Sequence, residues 1–225
     1  MALVGKTLLQ GGTLLGLWRA DETVEQLQTL GDVYKQVCEA YTGNKRRLEV
    51  LCTYALLFAL TGDTSLRIEH LPSGKPLCVS AATGRRYYIS VSHTNGWVAL
   101  LLSEERAVAV DIEYVSDRVQ RVAQRFLRKD ECYTKRLDLQ LCWCAKEVAY
   151  KYYSEQDLTF QEMRVEAFAS PVSADASHIS ADASPTSTDA EGQLVVSNLR
   201  SDCKLFLRFR TNKNFVLVYA VEGMV

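Results

Sequence analysis

The amino-acid sequence predicts an α+β fold, on three observations. Apolar residues at helical spacing precede strand-like runs in the first half of the chain, and the same order returns in the second half. A polar turn at 103–106 separates the halves, predicting an N-terminal lobe over 1–105 and a C-terminal lobe over 106–225. Within the second half, 170–192 is mostly Ser, Ala, Asp and Thr, with Ser-Ala-Asp-Ala-Ser occurring twice. Such a segment lacks the apolar area to offset the entropy of ordering, and reads as a flexible insertion between two strands.

The elements follow in chain order. Residues 13–19 read as a strand. Asp21, Glu22 and Thr23 supply helix N-terminal chemistry ahead of Val24, Leu27 and Leu30. A second helix is expected over 32–41, broken by Gly43 and Asn44. The most apolar helix covers 45–60, with Leu48, Leu51, Cys52, Ala55, Leu56 and Ala59 on one broad face and Gly62 closing it. Pro72 to Pro76 is a turn. Strands at 87–91 and 97–103 flank a short connector at 92–96, and 107–113 is a buried strand. Ser116 or Asp117 caps a helix bearing Val119, Val122, Ala123 and Phe126, and a short helix starts near Arg128. A long helix runs 137–153. Strands follow at 163–168, 193–198, 205–210 and 215–221.

Composition narrows the function classes. A 48% hydrophobic fraction suits a folded core. With 26 basic and 27 acidic residues the net charge is −1, so no global field draws the chain to nucleic acid or an acidic membrane. The seven cysteines (38, 52, 78, 132, 142, 144, 203) form no Cys-x-x-Cys pair and, with three histidines, offer no zinc spacing. They read as buried free thiols of a reducing compartment. Gln10, Gly11 and Gly12 interrupt the apolar N-terminus, which argues against a secretion signal, and no run reaches the ~20 apolar residues that span a bilayer. A soluble, cytoplasmic protein is the expectation.

Four groups of residues carry chemistry. Asp111 and Glu113 lie two apart on a strand, so both point to one face while Val110 and Ile112 point into the core. Two carboxylates side by side suit Mg²⁺, which takes oxygen ligands and bridges to phosphates; they would equally suit an exposed strand end. On the long helix, Trp143, Glu147 and Lys151 repeat at i, i+4, i+8, an active-site line or an ordinary surface ion pair. Ser92-His93-Thr94 after a strand offers hydroxyls, an imidazole and backbone N–H groups to a phosphate, or is a structural turn. Arg46, Arg47 and Lys75 form a basic set without the interleaved aromatics of a nucleic-acid site, so it is otherwise a solvated face.

Their order is more specific than any one of them. The chain reads Lys-Arg-Arg-Leu-Glu at 45–49, Gly-Lys-Pro at 74–76, Ile-Ser-Val-Ser-His-Thr at 89–94, and Val-Ala-Val-Asp-Ile-Glu at 108–113. Phe-Leu-Arg-Lys-Asp-Glu at 126–131 and Trp-Cys-Ala-Lys-Glu-Val-Ala-Tyr-Lys at 143–151 follow. Over 14–151 this series resembles the 4′-phosphopantetheinyl transferase superfamily, in the two-lobed type related to the surfactin-synthetase activator.

The resemblance implies two similar α+β lobes related by a pseudo-two-fold, with the active site between them. It implies transfer of 4′-phosphopantetheine from coenzyme A to a serine of an acyl, polyketide or peptidyl carrier protein, in a monomer. Asp111, Glu113 and Glu147 would hold Mg²⁺. Glu147, or a water it orients, would take the serine proton. Lys151, helped by Lys146, would contact phosphates. Ser92 and His93 would hold the 3′-phosphate, with Lys75 and Arg46 or Arg47 nearby. This sequence departs from the family pattern at Ala109 (usually Gly), Cys144 (usually Ser or Thr) and Tyr54, where many relatives place an arginine that helps bind coenzyme A. Two other readings compete: a non-catalytic relative that binds coenzyme A or a carrier, and a Mg²⁺-dependent phosphoesterase built on the same carboxylates.

Overall fold

The computed structural model describes residues 3–168 and 189–224. It is α+β, with two antiparallel sheets and, among the described residues, five α-helices. The chain divides into two compact units, Met1–Ile112 with Val221–Gly223, and Glu113–Ala220 with Met224–Val225.

In the first unit, β1 (Leu3–Leu8) and β2 (Leu14–Arg19) pair as a hairpin. Helices α1 (Val24–Gln28), α2 (Asp32–Glu39) and α3 (Asn44–Thr61) follow. Strands β3 (Leu66–His70), β4 (Pro76–Ser80), β5 (Arg86–Thr94) and β6 (Trp97–Ser103) complete an antiparallel sheet of order β1-β2-β6-β5-β4-β3. Thr23 caps α1 in a reciprocal box with Gln26. Gly62, at φ 73°, ends α3 in the left-handed conformation that a side chain would disfavour.

Helix α3 is buried nearly all round: residues 50–58 have no exposed position. It packs on β2 and β6, where Leu56 and Leu57 join Trp18, Leu100 and Leu102 in the core. Contact is this close because position 16 of β2 is glycine. A Cβ there would lie 2.6 Å from Leu60 Cδ1 and 2.7 Å from Leu56 Cδ1.

The second unit carries the end of β7 (Val108–Tyr114), α4 (Arg118–Phe126), α5 (Arg136–Tyr152), β8 (Met163–Val165), β9 (Ala190–Asn198), β10 (Cys203–Thr211) and β11 (Phe215–Val221). Its sheet has the order β7-β11-β10-β9-β8. Helix α5 packs across β8, β9 and β10, and α4 packs on α5. Leu141, Ala145, Val148, Val196, Leu207 and Phe209 are among the side chains that fill this core.

Several expectations need correction. The 92–96 connector is shorter, because β5 continues through Ser92 and His93 to Thr94 and pairs with β6 to the end. The short helix near Arg128 is a turn, closed by a Glu131 carboxylate that accepts the Arg128 N–H at 2.8 Å. Strands β1, β3 and β4 were not anticipated. The insertion expected over 170–192 lies mostly outside the described residues, but Ala190 to Gly192 belong to β9, where Gly192 faces Phe209. The unit boundary falls inside β7 rather than at 103–106, since the N–H groups of Val110 and Ile112 donate to the Ser90 and Ser92 hydroxyls of the first unit. Cys132 and Cys203 are exposed; the other five thiols are buried. Among the described residues no helix is long and apolar enough to cross a membrane.

Candidate active site

Strand β7 is covered on both faces up to Asp111. Ala109 and Val110 are fully buried, Ile112 is nearly so, and Asp111 is only 5% exposed. A carboxylate this deep requires hydrogen bonds. Ser92 Oγ supplies one, donating to Asp111 Oδ1 at 2.8 Å while accepting the Ile112 N–H at 3.3 Å. The Ser92 hydroxyl therefore fixes the strand and orients the acid. It is not presented to solvent as a phosphate ligand would be. With Asp111 buried, the reading of two solvated carboxylates does not describe it.

Two residues on, Glu113 is half-buried. Trp143 Nε1 on α5 donates to its Oε1 at 3.3 Å. The Trp143 ring is held by Phe126 (centroids 5.2 Å apart) and Phe160 (5.5 Å). One helical turn beyond Trp143 on the same face stands Glu147, half-buried, and one turn beyond that Lys151. The second unit thus brings the end of the Asp-x-Glu strand and the Trp-x-x-Lys-Glu helix together, through a bond spanning thirty positions.

Lys146 faces away from this line. It is fully buried, and its ammonium donates to Glu131 Oε2 (2.7 Å), Phe126 O (2.8 Å) and Phe160 O (3.2 Å). All three donors are used, so its visible work is to anchor α5 rather than to meet a phosphate.

The basic candidates separate. Arg47 donates to Tyr41 O at 2.6 Å, stapling the start of α3. Arg46 and His93 line one pocket of about 420 Å³ in the first unit, with Tyr41, Tyr54 and His70 also on its wall. The Arg46 guanidinium lies 5.5 Å from the Tyr41 ring centroid and 3.3 Å from Glu49. His93 Nε2 is 2.7 Å from Thr53 Oγ1. Lys75 sits in the β3–β4 turn beside Pro76, itself part of the pocket wall. Tyr54 uses its hydroxyl to accept the Ile68 N–H at 3.0 Å, and burial raises its pKa above the ordinary phenol value.

Among the described residues, no group of three or more His, Cys, Asp or Glu side chains is gathered as a ready metal site. Sequence reasoning assigned no role to Glu131, His70 or Gln140. Glu131 was visible only as an acid within a motif block, and Gln140 resembles any polar helix position until its burial is known. No family model matches the chain, and comparison with curated proteins gives no match.

Proposed function

We propose that this chain is a Mg²⁺-dependent 4′-phosphopantetheinyl transferase of the two-lobed type that the resemblance implies. The observation that carries the reading is the Trp143–Glu113 hydrogen bond. It joins the two motif blocks on which the resemblance rests. A second support is the first-unit pocket, where aromatic walls, Arg46 and two histidines suit a nucleotide anion.

In this reading the carrier serine oxygen attacks the coenzyme A phosphorus that bears pantetheine. A new P–O bond forms, the bond to the bridging oxygen breaks, and adenosine 3′,5′-bisphosphate leaves. Glu147, directly or through a water, takes the serine proton, and Lys151 stabilises the charge on the phosphates. Asp111, Glu113 and Glu147 form an oxygen-only donor set, and Mg²⁺ bound there would neutralise the pyrophosphate. A preassembled trio is not required, because Mg²⁺ keeps waters and completes its shell with substrate oxygens.

The test is the intact mass of an apo acyl carrier protein incubated with the chain, coenzyme A and Mg²⁺. A gain of one phosphopantetheine, abolished by EDTA and by Glu147→Gln, is expected. Trp143→Phe keeps an aromatic, though smaller, ring and loses the N–H, and should slow transfer about tenfold. Coenzyme A bound without turnover across several carriers would instead favour the non-catalytic relative, with Tyr54 the first residue to revert to arginine.

A further inference from the structure

Ser92 and His93 are adjacent on β5, so their side chains leave opposite faces of the sheet. His93 turns toward α3. Its Nε2 lies 2.7 Å from Thr53 Oγ1, and it lines the first-unit pocket. The Thr53 hydroxyl donates to Glu49 O at 2.8 Å, so toward His93 it accepts, which places an imidazole proton on Nε2. Ser92 turns toward β7, is 7% exposed, and takes no part in the pocket wall. The two side chains of the Ser-His pair therefore do not converge on one anion.

Strands β5 and β7 belong to different sheets, and two hydroxyls join them. Ser90 accepts the Val110 N–H at 3.0 Å, and Ser92 accepts the Ile112 N–H at 3.3 Å. Among the described residues, only Ser92 of the two also donates to a carboxylate, Asp111 Oδ1, at 2.8 Å. With Oδ1 engaged in this way, a cation taken up by Asp111 meets the other oxygen. Mg²⁺ suits such a donor: it holds about six oxygens in a near-octahedral shell, keeps several waters and uses few carboxylate oxygens. Ca²⁺ takes roughly six to eight oxygens, often both from one carboxylate. A hydrogen bond to a ligating carboxylate also fixes its direction, and losing such a bond costs ~10–100-fold in metal affinity.

We propose that Ser92 is a positioning residue for the cation and not a ligand of the anion. Its hydroxyl keeps Asp111 a single-oxygen donor and so favours Mg²⁺ over Ca²⁺. The anion of the first-unit pocket is left to His93, His70 and Arg46. The identities of cation and anion rest on the transferase reading; the division of labour between Ser92 and His93 rests on their opposite orientations.

Calorimetric titration of the full chain with MgCl₂, with CaCl₂ and, free of metal, with adenosine 3′,5′-bisphosphate tests it. Ser92→Ala should raise the Mg²⁺ Kd about tenfold, reduce the preference for Mg²⁺ over Ca²⁺, and leave the bisphosphate Kd unchanged. Ser92→Thr keeps the hydroxyl and should restore the preference. His93→Ala should raise the bisphosphate Kd about tenfold and leave Mg²⁺ binding unchanged. Ser90→Ala is the structural control: it removes an equivalent clamp on β7 without touching a carboxylate, and should lower Tm while preserving the preference. A wild-type preference in Ser92→Ala, an equal change in Ser90→Ala, or a weakened bisphosphate in Ser92→Ala would each overturn the proposal. If the wild-type chain binds neither cation nor bisphosphate, the transferase reading itself fails, and this inference with it.

Discussion

Lys146 and Glu131 form a 2.7 Å ion pair whose side chains are 0% and 1% exposed. The pair is a hub. Glu131 also accepts the backbone N–H of Arg128 and of Val165, and Lys146 reaches two carbonyls, so the turn after α4, the end of β8 and the middle of α5 share one set of charges. Removing one partner strands the other charge in the core. Lys146→Met and Glu131→Gln should each cost about 3–5 kcal/mol in urea denaturation, with the double variant recovering part of the loss. A single-variant loss below about 1 kcal/mol would show that the hub does not hold the unit together.

Gly16 allows α3 to lie directly on β2. Gly16→Ala places a methyl group into Leu56 and Leu60, and should destabilise the chain by about 1–3 kcal/mol. Leu60→Ala in the same chain relieves the overlap at the cost of a cavity, so the two changes should be less than additive. Additive losses in thermal melts would place the clash elsewhere.

The parts of the fold legible in the sequence were those with a long apolar signal. The α3 and α5 helices and strand β11 have enough buried positions for their period to stand out, and β11 spans 215–221 as expected. Strands β3 and β4 were hidden because β3 carries Arg67, Glu69 and His70 on a sheet edge, where polar residues cost little. Strand β1 was hidden for the same reason: it is the other edge, with Val4 and Leu8 exposed. In the site, the motif spacing brought Trp143 and Glu113 into view as two separate blocks; their bond needed the fold. Ser92 and His93 read as part of a connector whose hydroxyls, imidazole and N–H groups suit a phosphate, yet the tight β5–β6 turn begins only after Thr94. Gln140 carried no signal, since burial of a single polar side chain on a helix leaves no trace in spacing.

Thiol chemistry should separate the cysteines by burial. Cys52 and Cys78 are pushed up to about 12 by desolvation, and Cys142 is raised further for the same reason, so these remain neutral thiols. Cys38 and Cys144 are buried as well. An Ellman-type titration of the native chain should find only Cys132 and Cys203 reacting quickly, with all seven reached after denaturation. Fast reaction at Cys142 would mean that α5 opens locally under native conditions.

Acid sensitivity should have an identifiable source at Glu162. Its carboxyl is held down to about 2, first by the Thr159 backbone N–H and then by Arg200 and the Thr159 hydroxyl, against 4.5 for the free group. The contacts are 2.7 Å to Arg200 and 2.9 Å to both Thr159 groups. A depressed carboxyl stabilises the fold fully above its unfolded value near 4.5, and that contribution disappears as pH falls toward 2. Because the pair is partly open to solvent, added salt should weaken the Arg200 part and leave the Thr159 cap. Glu162→Gln should therefore melt below wild type at pH 7, and the gap between the two should close between pH 4.5 and 2. A gap that stays constant across that window would mean that Glu162 acts through shape and hydrogen bonding rather than through its charge.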